Sequence, residues 1–388
     1  MKKILLALGL TAMFGLAQAQ SSVTLYGILD QSYYVDSSSS SAVRSQNGMS
    51  SQTASTSRFG VKGSEDLGSG NKANFVLESQ LNMSNGAVGS STSGAAQTTS
   101  ATSEVFNRQA NLSLSNAETG ELKLGRQYAL TWESAISADA IGINSLGFAN
   151  YFSNASQLYG TNNITGQNAS TYIAGAAAGG TTPTLYVNGI SYTTPSYAGV
   201  TAKLFTSPGS GSTTTQNTAG MRSGSLNYAG TGVVSGLNAV FAYDVIDSTT
   251  GGAPAQNRSV LGANYTWNRF KFSASRSYIQ YYTGLNGSTV YGDNTLINSF
   301  GVKYQVTTPV WVGVEYSTAA DKNVTANKSA TVGLVAGYDL SKRTNVYALV
   351  GQTNNSGQAA MTPLYGSSAT GNAGVASVAY AVGLRHAF

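Results

Sequence analysis

The chain ends in YAVGLRHAF, residues 380–388. Tyr380, Val382, Leu384 and Phe388 share one parity; Ala381, Gly383, Arg385 and Ala387 share the other. His386 is the one awkward member of the apolar row. Period-two alternation builds a strand with an apolar face and a wet face. The plain reading is an edge strand of a soluble β protein. In an exported chain, a strand that runs to an apolar last residue points instead to a transmembrane β-barrel. Such a barrel must close, because an open edge in lipid leaves backbone groups unpaired.

The other end of the chain supports export. Lys2 and Lys3 precede an apolar run from Ile4 to Ala17, and Ala17-Gln18-Ala19 is a small-x-small cleavage site. Residues 1–19 therefore read as a signal peptide, and 20–388 as the mature barrel. No other run reaches the length of a transmembrane helix, so any spanning is done by strands. Cysteine is absent, which removes disulfides and thiolate chemistry. Only 10% of residues are charged, while Gly (45) and Tyr (23) are abundant. That is too little charge for an ordinary soluble domain and too much polarity for a helical membrane protein. An apolar outer band, aromatic girdles and a polar lumen need this mixture. Loss of Lys2 and Lys3 leaves 19 basic against 16 acidic side chains, net +3, with no basic stripe to hold nucleic acid.

Alternating segments recur along the chain. Short Gly/Pro/Asn/Asp/Ser connections fall near 64–71, 116–121, 193–196, 231–236, 267–269, 307–309 and 341–343. Long Ser/Thr/Gly/Asn-rich connections fall near 36–55, 83–104, 131–183, 207–220, 247–258, 283–294, 319–328 and 354–372. Together they join sixteen strands, an even count with turns at one end and loops at the other. In 309–318, Val310, Val312, Val314 and Tyr316 oppose Glu315 and Ser317. In 299–306, Phe300, Val302, Tyr304 and Val306 oppose Lys303 and Gln305. In 72–82, Ala73, Phe75, Leu77 and Leu81 oppose Asn74, Glu78, Gln80 and Asn82. A Lys or Arg facing lipid at mid-depth costs roughly 2–4 kcal/mol, which assigns the charged parity to the lumen. A soluble sandwich would place the apolar parity inside, so export and low charge decide between them. Segment 184–192 breaks the rule by mixing Tyr186, Asn188, Ile190 and Tyr192 on one face; a subunit interface relaxes the alternation.

Four stretches resemble the general Gram-negative porins of the β-proteobacteria: VTLYGILD (23–30), SRFGVKGSEDLGSG (57–70), NRQANLSLSNAETGELKLGRQ (107–127), and YVNGISYTTPSYAGV (186–200) together with YAVGLRHAF. The resemblance spans nearly the whole mature chain, and the order of the motifs makes it specific. It implies an all-β fold, a 16-stranded antiparallel transmembrane β-barrel with an inward-folded third extracellular loop, assembled as a homotrimer in the outer membrane. It implies lipid and lipopolysaccharide around the wall, assembly machinery that engages Phe388, and no cofactor. The implied activity is passive diffusion of small hydrophilic solutes and ions through a water-filled channel, with selectivity set by the width and charge of the constriction.

By motif match, the basic wall cluster of the family corresponds to Arg58, Arg108 and Arg126. Parity supports Arg58 and adds Lys62. It is uncomfortable for Arg108 and Arg126, which share faces with Leu112/Leu114 and Leu122/Leu124; Lys123 fits the lumen better. In 131–183 the only charges are Glu133 and Asp139, and Gln127 through Ala202 contains no Lys or Arg. Leu185 stands where relatives carry a positive residue. The expected field is therefore weak, with a mild anion preference from Arg58 and Arg108. Asp30, on the parity of Tyr26, is either a further lumen group or a rim or interface carboxylate.

Other motifs carry less. His386 is the sole histidine, so a catalytic triad or His-ligated metal has nothing else to draw on. Gly68-x-Gly70-x-x-Ala73 lacks the strand and helix of a dinucleotide site and reads as a turn. Glu65-Asp66 reads as a solvated turn rather than a calcium site. A substrate-specific channel is the nearest alternative. A secreted β-rich adhesin is the more distant one, and it lacks the expected fixed-period repeat.

Overall fold

The computed structural model describes residues 22–38, 45–89, 105–155, 158, 186–207, 220–247, 254–283, 290–364 and 373–388. Residues 1–21, which hold the expected signal peptide, the Ser/Thr-rich stretch 90–104 and residues 159–185 lie outside the described residues. Seventeen strands form one sheet. They are β1 Ser22–Ser38, β2 Gln46–Ser50, β3 Arg58–Gly68, β4 Asn71–Gln80, β5 Gln109–Asn116, β6 Gly120–Tyr128, β7 Tyr186–Thr193, β8 Val200–Ser207, β9 Met221–Ala229, β10 Leu237–Asp247, β11 Pro254–Trp267, β12 Phe270–Thr283, β13 Val290–Gln305, β14 Val310–Asp321, β15 Lys328–Asp339, β16 Thr344–Ser356 and β17 Ser377–Ala387. Two helices, α1 Leu130–Ala138 and α2 Phe148–Ser153, follow β6.

Every pairing is antiparallel and the sheet closes through β1 and β17, from Ile28↔Ala387 to Ser38↔Ser377. Phe388 completes the seam: its N–H donates to Gly27 O and its carbonyl accepts from Gly27 N, both at 3.1 Å. The barrel has sixteen strands plus β2. The start of β1 pairs with β3 and its later half with β2, so β2 is a short extra segment that continues β3's side of the seam.

Surface exposure settles which parity faces out. Leu25, Leu204 and Val382 are 62%, 66% and 65% exposed, whereas Glu78 and Arg108 are nearly inaccessible. Apolar side chains therefore cover the outside, as lipid demands, and the polar parity turns to the barrel interior. The seven short and eight long connections fall where the sequence places them, but several strands extend further into the expected loops: β11 begins at Pro254 and β14 ends at Asp321. The reason is physical. Alternation fades where the wall leaves lipid, while the hydrogen-bond ladder continues. In β7, Ile190 and Tyr192 remain on the outward face, and Asn188 pairs across the ladder with Arg126.

Residues 129–155 lie against the polar face of the wall. α1 packs on β9 to β12, and α2 on β13 and β14. Wall glycines make room for this segment. A Cβ on Gly262 would meet Ala138 Cβ at 2.5 Å, and one on Gly333 would meet Leu146 at 2.7 Å. Within the segment, the Trp132 and Phe152 rings stack with centroids 6.2 Å apart, and Phe148 tilts against Phe152 at 6.1 Å.

Candidate functional site

Glu78 is the hub of the interior. It projects from β4, and its Oε1 lies 2.6 Å from Arg108 Nε. Its Oε2 accepts from Tyr26 OH at 3.0 Å and lies 3.7 Å from Arg58 Nε. Arg108 Nη2 also donates to Tyr128 OH at 2.8 Å. Arg108 escapes the parity problem because it precedes β5 in a bend, where its own N–H donates to Glu78 O. The structure thus brings Arg58 and Arg108 together through an acid that sequence reading placed on the polar parity without singling out. A register that joins residues 30 and 52 positions apart is not visible in linear spacing.

Asp30 lies on the inward parity, covered by the first loop. It is fully buried. Its carboxylate accepts Ala54 N at 2.8 Å, Ser55 N at 2.5 Å and Tyr347 OH at 2.7 Å. It is a tie that holds the first loop to the wall. That loop in turn grips the third: Asn144 N donates to Ala54 O and Ser145 N to Thr53 O, each at 3.0 Å.

The remaining predicted residues are dispersed. Lys62 is exposed and stands over the Tyr26 ring, 5.3 Å from its centroid. Lys123 pairs with Glu121 at 3.5 Å, close to the β5–β6 turn. Arg126 Nε donates to Asn107 O at 2.5 Å and shares the outward parity of Leu122 and Leu124. Glu133 on α1 is held by Lys203 of β8 at 2.8 Å. Asp139 caps the turn after α1 by accepting Ile141 N at 2.8 Å and Gly142 N at 3.2 Å, and Lys271 Nζ reaches its carbonyl. Burial pushes the Asp139 carboxyl above its ordinary pKa, against those N–H groups and the charges of Lys271 and Lys303.

Further ties seat the same segment. Thr131 Oγ1 donates to Asp244, which also pairs with the fully buried Arg258 at 2.6 Å. Glu315 of β14 accepts Phe148 N at 2.9 Å and Ser299 Oγ at 2.6 Å. Tyr151 OH lies 2.7 Å from Thr331 Oγ1. Lys203, Asp244 and Arg258 drew no attention in the sequence, because their partners lie on a loop whose docking no local pattern encodes.

A closed β-barrel with a polar interior and an apolar exterior, with two short helices packed on its wall, defines an outer-membrane channel protein. Residues 5–358 match the Gram-negative porin family, and the chain belongs to that family. It is 38% identical over 148 residues to outer membrane porin protein 32 of Delftia acidovorans, covering 38% of each chain. It is 33% identical over 212 residues to an outer membrane porin protein of Bordetella pertussis, covering 51% of this chain and 46% of that one. The matched stretches thus span less than half the length of these two relatives. The solved anion-selective porin from Comamonas acidovorans superposes with a TM-score of 0.73 at 26% identity, over 95% of this chain and 100% of that one. OmpT of Vibrio cholerae, in a trimer form, gives 0.58 at 13% identity, which speaks to the fold alone. Family membership places the chain in the outer membrane and removes the adhesin alternative.

Proposed function

We propose that this porin is a passive, water-filled channel for small hydrophilic solutes and ions, with a mild anion preference, and that the third loop, 131–183, folds inward and narrows it. It does no chemistry on what it passes. One observation carries the reading: a closed wall whose polar parity faces inward, with α1 and α2 fixed to it by the Glu133–Lys203, Thr131–Asp244 and Phe148–Glu315 contacts. Arg58, Lys62 and Lys123 are the cations of the expected set that keep exposed surface on the inward parity, whereas Arg108 is buried against Glu78. The name of the Comamonas structure, an anion-selective porin, agrees in sign.

Further parts of the reading are proposals of the same kind. The mature protein begins near Gln20 after loss of a signal peptide. It assembles as a homotrimer, as the trimer form of OmpT supports, and the polar break at Asn188 and Arg126 on the outward face lies at a subunit contact. Lipid and lipopolysaccharide surround the rest, and assembly machinery engages Phe388. Unheated gel electrophoresis and planar-bilayer currents test these points together. An SDS-resistant trimer that conducts supports them; a monomer that stays in solution without detergent contradicts them.

A further inference from the structure

The outer face of the wall carries an arginine that lipid tails do not explain. Arg276 of β12 is exposed and shares its parity with Phe270, Phe272 and Ala274. Its register partners are Leu261 on β11 and Asn298 on β13, and Asn298 in turn faces Thr318 on β14. Among the described residues it has no ion pair. A lipid-facing arginine is costly at mid-depth, and the cost fades at the head groups. Arg276 stands about 20 Å along β12 from Phe270, which is about 15 Å of height at the usual strand tilt. Phe270 itself sits in an aromatic belt at the β11–β12 turn, with the Trp267 and Tyr304 ring centroids at 6.4 and 4.6 Å. In an apolar band about 25 Å tall, Arg276 therefore lies in the half nearer the long loops, and its side chain reaches up to head-group level. Lys328 of β15 is exposed on the same parity, opposite Ala320 and one register step nearer the loops. Among the described residues no acid shares that parity from β12 to β15; Glu315, Asp321 and Asp339 lie on the opposite, inward one. On the neighbouring wall the outward acid is Asp247 of β10, and Arg222 already holds it at 2.6 Å.

We propose that Arg276 and Lys328 hold the phosphate groups of an anionic glycolipid of the outer leaflet against the β12–β15 face of the wall. The site lies outside the channel and goes beyond the channel reading. Charge complementarity selects the occupant: two cations without an acid face a leaflet whose phosphorylated lipids are anionic. A guanidinium takes a phosphate through two parallel N–H···O bonds, and Asn298 and Thr318 stand beside it with an amide and a hydroxyl to donate. Arg276 and Lys328 are about 16 Å apart at Cα, three strand spacings and one register step. Their long side chains close that span onto a disaccharide phosphorylated at both ends. Leu261, Ala274 and Phe300, on the same parity, offer the acyl chains an apolar wall. A second copy of this chain is the poorer occupant, because Asp247, the outward acid it would bring, is already paired.

The test uses the full-length protein in a neutral detergent, with native mass spectrometry counting bound lipid. The probe is lipid A carrying both phosphates; its dephosphorylated form and inorganic phosphate are the comparisons. Wild type is expected to bind the phosphorylated lipid about ten-fold or more tightly than the dephosphorylated one. Arg276→Gln should raise the dissociation constant for the phosphorylated lipid about ten-fold, and Lys328→Gln about three-fold. Neither should change binding of the dephosphorylated lipid, a contrast that a damaged wall does not produce. Lys342→Gln, the same change of charge at the short-turn end, should alter nothing. If Arg276→Gln fails to assemble, Lys328→Gln and the phosphate dependence of the wild type decide. Equal binding of the two lipid forms, displacement by inorganic phosphate at matched concentration, or unchanged affinity in both Gln variants overturns the inference. So does loss of an SDS-resistant trimer in Arg276→Gln with lipid binding intact, which marks a subunit contact instead. Planar-bilayer currents are read separately, and a wild type that conducts nothing overturns the channel reading alone.

Discussion

Glu78 shows how one buried acid can offset two interior cations. Its carboxylate is nearly inaccessible and bonded to Arg108, Arg58 and Tyr26. Glu78→Gln removes the negative charge and leaves both guanidinium groups uncompensated, so reversal potentials in a potassium chloride gradient should shift towards greater anion permeability. Arg108→Ala should shift them the other way and destabilise the barrel. Stranding one partner of a buried ion pair costs roughly 3–5 kcal/mol, here moderated by Arg58 and Tyr26, and heat-modifiability on gels reads the loss. Asp139 yields a pH prediction. Its carboxyl is raised in the docked loop, so docking binds a proton more tightly than a released loop does. Docking is then favoured at low pH and weakens as pH rises from the ordinary Asp value through the shifted one. Glu315 opposes ionisation of Asp139, and Lys271 and Lys303 favour it. Open-channel noise should grow over that rise, and Asp139→Asn, which keeps an acceptor for Ile141 N, should flatten the dependence. Parity alone identified Arg58 and Lys62 as inward. It failed for Arg108, because a bend before β5 turns that side chain without changing its place in the count.

Among the elements, the strands from β13 to β17 were the most legible. Val310, Val312, Val314 and Tyr316 alternate with Trp311, Gly313, Glu315 and Ser317 over a full crossing, and lipid permits no exception at mid-depth. Strand ends were less legible, because the ladder outlasts the lipid that enforces the pattern. The third loop was legible only as length and composition. Its seat is written on the other side of the barrel, in glycines such as Gly333 and Gly262. Gly333→Val should therefore push Leu146 off the wall, loosening the loop and raising both single-channel conductance and its variability. The barrel itself, whose ladder does not use that side chain, should still assemble. Gly27 makes a parallel case at the seam. A side chain there would meet Arg58 O at 2.7 Å and the Phe388 ring. Gly27→Val should impair closure and the yield of folded, SDS-resistant protein, as unheated gels would register.

As a whole molecule, the chain solves one problem twice. Closure through β1, β17 and Phe388 leaves no strand edge in lipid, and side-chain ties fix α1 and α2 to the wall. The first requirement was legible at the C-terminus, because the apolar parity of YAVGLRHAF persists to Phe388. The second was not, because its residues meet only after the barrel has closed: Asp30 with Ala54 and Tyr347, Asn144 with Thr56, Glu133 with Lys203. The polar interior and the charges left accessible within it stand or fall by current through a planar bilayer holding the purified protein, with a salt gradient across it. Stepwise, ohmic conductance with a reversal potential of modest anion preference is the predicted result. No conductance, or a clear preference for cations, would contradict it.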